Sequence, residues 1–158
     1  MTPQDQLALA QSCLAYKLRP EHLEELYRLA NPVYFQHGQE LIRHNGTDAD
    51  LYVILEGHVC ILTDDGDKFF DATAGSVVGE LAFLDALPRA ANALAGGHVY
   101  ALKFCAADLR KLMCNNKELG FFILANLTRV VCARLRKADE ELDKLMDNAH
   151  DAWSIHDT

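Results

Sequence analysis

Glu80 and Arg89, with Asp85 between them, carry the charge in a segment (VVGELAFLDALPRAANALA, residues 77–95) that otherwise reads as protein interior. A charge taken out of water without a partner is costly. The carboxylate and the guanidinium therefore satisfy either each other or something from outside the chain. Gly79 allows backbone to approach another group closely. If residues 80–84 form one helical turn, the free amides of residues 80–82 converge on one spot that favours an anion. Arg89, returning after the turn DALP, brings a planar fork suited to phosphate oxygens. Glu80 would repel a phosphate and suits a neutral hydroxyl lying to one side. A ligand with one phosphate and an adjacent sugar hydroxyl meets both demands. A Glu80–Arg89 salt bridge closing a corner of the fold meets them as well.

The elements around this segment are legible from period and punctuation. Residues 1–32 read as helical: Leu23, Leu26, Tyr27, Leu29 and Ala30 recur near helical spacing, Pro20 suits a first turn, and Asn31-Pro32 is a stop signal. From Val33 to Phe104 the texture becomes short runs (VYFQH, ELIR, DLYVILE, HVCILT, KFFDATA, ANALA, HVYALKF) divided by turn residues. That pattern predicts an antiparallel, jelly-roll-like β-barrel with flanking helices, the segment at 75–92 lying inside it. Helices return over 105–147, first AADLRKLM and then one long helix from Lys117 to about Met146. The long helix carries a seam of alternating three- and four-residue steps: Phe121, Leu124, Thr128, Val131, Leu135, Ala138, Leu142 and Leu145. This is coiled-coil spacing and predicts a parallel homodimer through residues 121–145, with Arg134 facing the partner's Asp139; a helix packed on its own barrel is the other reading.

The chain of 158 residues, half of them hydrophobic, suits one domain with a sizeable core. No apolar run approaches the roughly 18 residues of a membrane span, and MTPQDQLALAQ lacks the basic and apolar regions of a secretory signal, so a cytoplasmic location is expected. The formal charge is −8, and residues 138–158 hold seven acids against Lys144 alone, so this stretch supplies −6 of it. Nucleic-acid binding needs basic stripes and is not expected. Residues 148–158 read as a flexible acidic tail. The five cysteines, Cys13, Cys60, Cys105, Cys114 and Cys132, are scattered without Cys-x2-Cys spacing, and none of the seven histidines forms His-x-His. Neither a metal nor an enzymatic activity is therefore expected.

GELAFLDALPRAAN resembles the phosphate-binding cassette of the cyclic-nucleotide-binding domain family, to which catabolite-activator proteins belong: Gly-Glu, a hydrophobic-Ala-hydrophobic run, then Pro-Arg-Ala-Ala. LYVILEGHVCIL is similar to the family's central hairpin, and YFQHGQELIRHNG to its first strands. The resemblance implies that Arg89 pairs with the cyclic phosphate and Glu80 accepts the ribose 2′-hydroxyl. Gly79, Leu81, Ala82, Ala90 and Ala91 would bring backbone close to the ligand, and Val77 and Leu81 would wall the pocket. Ala90, where some guanine-preferring relatives carry Thr, favours cyclic AMP over cyclic GMP. Arg136 and Asp139 are candidates to meet the base. Asn92 departs from the Thr often found there. Thirteen residues follow Leu145, too few for a helix-turn-helix. The expectation is thus a stand-alone sensor relaying ligand state through its C-terminal helix to another protein. A nucleotide-free dimeric adaptor, or a haem or redox sensor using His58 and Cys60, is the alternative.

Overall fold

A computed structural model describes residues 1–154 of the chain. It opens with α1 (Pro3–Ala10), a 3-10 turn (Cys13–Ala15) and α2 (Pro20–Leu29). Eight strands follow: β1 (Asn31–Phe35), β2 (Glu40–Ile42), β3 (Leu51–Glu56), β4 (His58–Leu62), β5 (Lys68–Thr73), β6 (Val77–Val78), β7 (Asn92–Ala95) and β8 (Val99–Phe104). Between β6 and β7 lies α3 (Glu80–Asp85), and the described chain closes with α4 (Ala106–Asn115) and α5 (Lys117–Ser154). The strands form two facing four-stranded sheets, β1-β8-β3-β6 and β2-β7-β4-β5, all antiparallel. This is the expected jelly-roll-like arrangement, as an open sandwich in place of a closed barrel.

The alternation of side chains explains why the first sheet tolerates unbroken apolar runs. On β3, Tyr52 and Ile54 face the second sheet, where they meet Val59, Ile61, Ala72, Ala93 and Ala95. Leu51 and Val53 face the opposite way and pack with Leu102 and Phe104 of β8 against Leu9, Leu14, Leu26, Leu109, Leu119, Ile123 and Leu127 of the helical layer. Each fully buried leucine contributes about 1.5–3 kcal/mol of transfer free energy, so the sheet is held from both faces.

Two boundaries differ from the sequence reading. Asn31 and Pro32 open β1 instead of ending a helical segment. β1 lies at the edge of its sheet, where a proline without an N–H is tolerated. The long helix runs through residues 148–154, which the sequence reading assigned to a flexible tail. Those residues contain no Gly or Pro to end it; residues 155–158 lie outside the described residues.

The early part of α5 is anchored. Asn126 is buried and its amide donates to the carbonyls of Leu14 and Tyr16, both at 2.8 Å. Beyond Leu127 no residue of α5 is buried. Only part of the predicted seam faces outward: Phe121 is 67% exposed, Leu142 54% and Leu145 66%, whereas Val131, Leu135 and Ala138 turn toward α3 and the second sheet. No helix among the described residues is long and apolar enough to cross a membrane.

Candidate functional site

The charged cassette residues are brought together by a short excursion between two sheets. β6 pairs with β3, Gly79 turns the chain at a φ of +95°, and α3 follows with Gly79 at its N-cap. A left-handed residue, Ala86 (φ +57°), ends α3 and sends the chain back through Leu87 and Pro88 to Arg89. From α4, Arg110 donates to the carbonyl of Phe83 at 2.9 Å and lies 5.0 Å over its ring, fixing α3 from below.

Glu80 and Arg89 are both buried, and they do not pair with each other. The guanidinium of Arg89 donates through Nη2 to Asp48 Oδ2 at 2.6 Å and to the carbonyl of Asp50 at 2.7 Å. Its Nη1 donates to the carbonyl of Gly79 at 3.0 Å, and Nε lies 3.5 Å from Asp48 Oδ1. Of the five N–H donors of a guanidinium, one on Nη1 is left over. Gly79 is required here on two counts. Its backbone is left-handed, and a Cβ would stand 2.7 Å from both Arg89 Nη1 and the carbonyl of Asp50. The close approach expected at this glycine is made by the arginine itself. Asp50 also links the site to α4, accepting from the amide of Ala106 at 2.8 Å.

Glu80 pairs instead with Arg134, which reaches across from α5. Arg134 Nη1 donates to Glu80 Oε1, Nη2 donates to the carbonyl of Val77 at 2.6 Å, and the guanidinium sits 4.6 Å from the ring of Phe70 on β5. No donor occupies Glu80 Oε2 among the described residues. Arg134 was assigned from sequence to a pair with the partner's Asp139; while it holds Glu80 within its own chain, it is not available for that. Its role and that of Asp48 escaped the sequence reading. Each lies more than forty residues from its partner, and only folding reveals the juxtaposition.

A cavity of about 460 Å³ opens between α3, the second sheet and α5, within the usual range for small-molecule sites. Gly79, Glu80, Leu81, Ala82, Arg89, Ala90 and Ala91 all line it, as the cassette reading requires. Its apolar walls come from Ile42, Ile61, Phe70, Val78 and, on α5, Val131, Leu135 and Ala138. Three expected residues are placed elsewhere. Val77 is on the opposite face of β6 from Val78 and packs into the helical-side core; only its carbonyl faces Arg134. Arg136 and Asp139 are exposed on α5. The helix presents positions 131, 134, 135 and 138 to the cavity, and 136 and 139 are turned away from that stripe. Asn92 has a structural function, its Oδ1 accepting from the amide of His44 at 2.8 Å.

Residues 32–116, over half the chain, match the profile of the family described as Cyclic nucleotide-binding domain. The chain belongs to the cyclic nucleotide-binding domain family. Among solved structures, the domain is similar to a cyclic nucleotide-binding domain from Methylobacillus flagellatus KT, with a TM-score of 0.81 and 22% identity over 89% of this chain and 84% of that one. It is also similar to the catabolite activator protein of Thermus thermophilus (TM-score 0.71, 25% identity, 85% of this chain and 63% of that one). A third likeness is to the regulatory domain of protein kinase A from Toxoplasma gondii, solved with cyclic AMP (TM-score 0.63, 22% identity, 68% of this chain and 42% of that one). No curated protein sequence matches the chain significantly.

The hydrogen-bonded pairing of Asp48 with Arg89 makes the stability of the site pH-dependent. The hydrogen bond from Arg89, reinforced by its charge, holds the Asp48 carboxyl below the usual aspartate value of 3.8. The folded state thus binds this proton less readily than the unfolded chain. The resulting stability is present above about pH 4 and is lost as pH falls through 3.8 to the folded value beneath it. Asp48 is half exposed, so water screens part of the effect. Thermal melts between pH 5 and about pH 2.5 should show a shallower acid loss in Asp48→Asn than in the wild-type domain. Parallel acid-loss curves would remove Asp48 from the account.

Proposed function

We propose that this domain is a non-enzymatic, cytoplasmic sensor that takes cyclic AMP in the cavity beneath α3 and passes its occupancy to α5. The observation that carries the proposal is the Glu80–Arg134 pair. It ties the cassette carboxylate to the helix that would move. In this reading the cyclic phosphate meets the remaining Nη1 hydrogen of Arg89, assisted by the uncapped amides of Leu81 and Ala82 at the start of α3. The ribose 2′-hydroxyl donates to Glu80 Oε2. The base lies against Val131, Leu135 and Ala138, a contact that replaces the sequence assignment to Arg136 and Asp139. A wall of this kind gives a base no polar partner, so the preference for cyclic AMP over cyclic GMP rests on Ala90 and is modest.

A ligand shifts α5 only by binding two helix positions with different affinity. Arg134 supplies that difference, since it joins α5 to Glu80, the carboxylate that would accept the ribose hydroxyl. Calorimetric titration of the domain with cyclic AMP and cyclic GMP tests the reading. Saturation at one nucleotide per chain supports it, and absence of saturable binding for either nucleotide rejects it.

The output is proposed to run through the exposed seam of α5, as a homodimer whose acidic ends are offered to a protein effector. The support is an apolar row, Phe121, Leu124, Leu142 and Leu145, that nothing in the chain covers among the described residues. Leu142→Glu lies beyond the cavity and should convert a dimer into a monomer in sedimentation velocity, with the melting temperature of the sandwich unchanged. A wild-type chain that sediments as a monomer at all concentrations would exclude this output.

A further inference from the structure

His58 and Cys60 alternate onto the outer face of β4, and Asp71 stands directly opposite Cys60 on β5. We propose that the imidazole, thiolate and carboxylate of these three residues form a site for a borderline-soft divalent cation of the zinc class, on the side of the sheet away from the nucleotide cavity. One ligand atom from each residue lies within 4.8 Å of the other two. Tetrahedral zinc places its nitrogen and sulfur ligands roughly 3.5 Å apart, so side-chain rotation of about 1 Å closes the set. His58 and Asp71 are exposed and Cys60 half-buried, which leaves the fourth position to water.

The surroundings favour this use of His58 in particular. Gly96, on the turn after β7, donates its amide to the carbonyl of His58 at 3.0 Å. A Cβ at position 96 would lie 2.1 Å from His58 Nε2, so the imidazole occupies the space that any other residue would fill. The ring is thereby held in place on the sheet surface, the kind of support that orients a ligating histidine. A thiolate and a carboxylate offset the charge of a divalent ion, and the nitrogen–sulfur–oxygen set suits zinc over calcium or magnesium. Lys68 opposes it: its ammonium pairs with Asp71 Oδ2, leaving Oδ1 to the ion but adding a like charge beside it. The spacing rules that search for Cys-x2-Cys or His-x-His do not find this trio, because pairing across the β4–β5 hairpin assembles it.

The experiment is a titration of the full chain with Co(II) followed by its absorption, and with Zn(II) by competition calorimetry. One ion per chain is expected, with a sulfur-to-cobalt charge-transfer band in the near ultraviolet. Cys60→Ser should abolish that band and weaken Zn(II) binding by about tenfold or more; Asp71→Asn, at an exposed position, should weaken it by about tenfold. Lys68→Gln should tighten it severalfold, an outcome that damage to the fold does not produce. Absence of the charge-transfer band in the wild-type chain, or a band and affinity that survive Cys60→Ser, would overturn the proposal.

Discussion

Arg89→Ala is expected to lose cyclic-nucleotide binding by about ten- to a hundredfold, and to lower domain stability by about 2–4 kcal/mol. The two effects have separate causes. The binding loss is that of a charged hydrogen bond to phosphate, worth about 1.5–3 kcal/mol. The stability loss follows from the partners left behind. The carbonyls of Gly79 and Asp50 lose their donor in a buried setting, and Asp48 loses its cation. Asp48 is half exposed and can turn to water, which keeps the cost towards the lower end. Arg89→Lys separates the two. An ammonium keeps the charge but cannot reach two carbonyls and a carboxylate with a planar fork, so it should bind several-fold weaker while recovering part of the stability. Equal nucleotide affinity in wild type and Arg89→Ala, with both folded, would remove Arg89 from the binding site.

Arg134→Ala should be comparably damaging by a different route. It leaves Glu80 buried without its cation and the carbonyl of Val77 without its donor. Breaking a buried ion pair from one side typically costs about 3–5 kcal/mol. Arg134 is partly exposed, so about 2–3 kcal/mol is expected. Because the cost is an orphaned carboxylate, Glu80→Gln in the Arg134→Ala background should restore stability, a non-additivity of about 1–2 kcal/mol in the double-mutant cycle. The functional consequence is distinct. Arg134 is the polar tether between cassette and helix, so in Arg134→Ala the hydrogen exchange of residues 131–145 should no longer respond to saturating cyclic AMP. Strictly additive stabilities, together with an undiminished response of α5, would show that the pair is incidental.

The sequence carried the strands, the helices and the cassette because each is a local signal. Runs of β-branched and aromatic residues between Gly-rich turns mark strands, and the Gly79-Glu80 and Pro88-Arg89 pairs mark the cassette. It did not carry the partners of its charges. From spacing alone, Glu80 and Arg89 could satisfy each other or a ligand; the fold gives each a third residue, Arg134 and Asp48, that no local pattern connects to it. The strand beneath the cavity was misjudged by one position, Val77 for Val78, since a two-residue strand is too short to reveal which face is inward. The helix positions were misjudged for the same kind of reason: Arg136 and Asp139 lie within two turns of Arg134, yet only the docking of α5 decides which stripe faces the pocket.

In the proposed sensor, Arg89 and Glu80 hold a cyclic nucleotide from two sides of one cavity. A crystal structure of the domain grown with cyclic AMP measures it most directly. The cyclic phosphate is expected within hydrogen-bonding distance of Arg89 Nη1 and the ribose 2′-hydroxyl on Glu80, with Arg134 still joined to the same carboxylate. A nucleotide bound elsewhere, or a cavity filled with the phosphate turned away from Arg89, would contradict it.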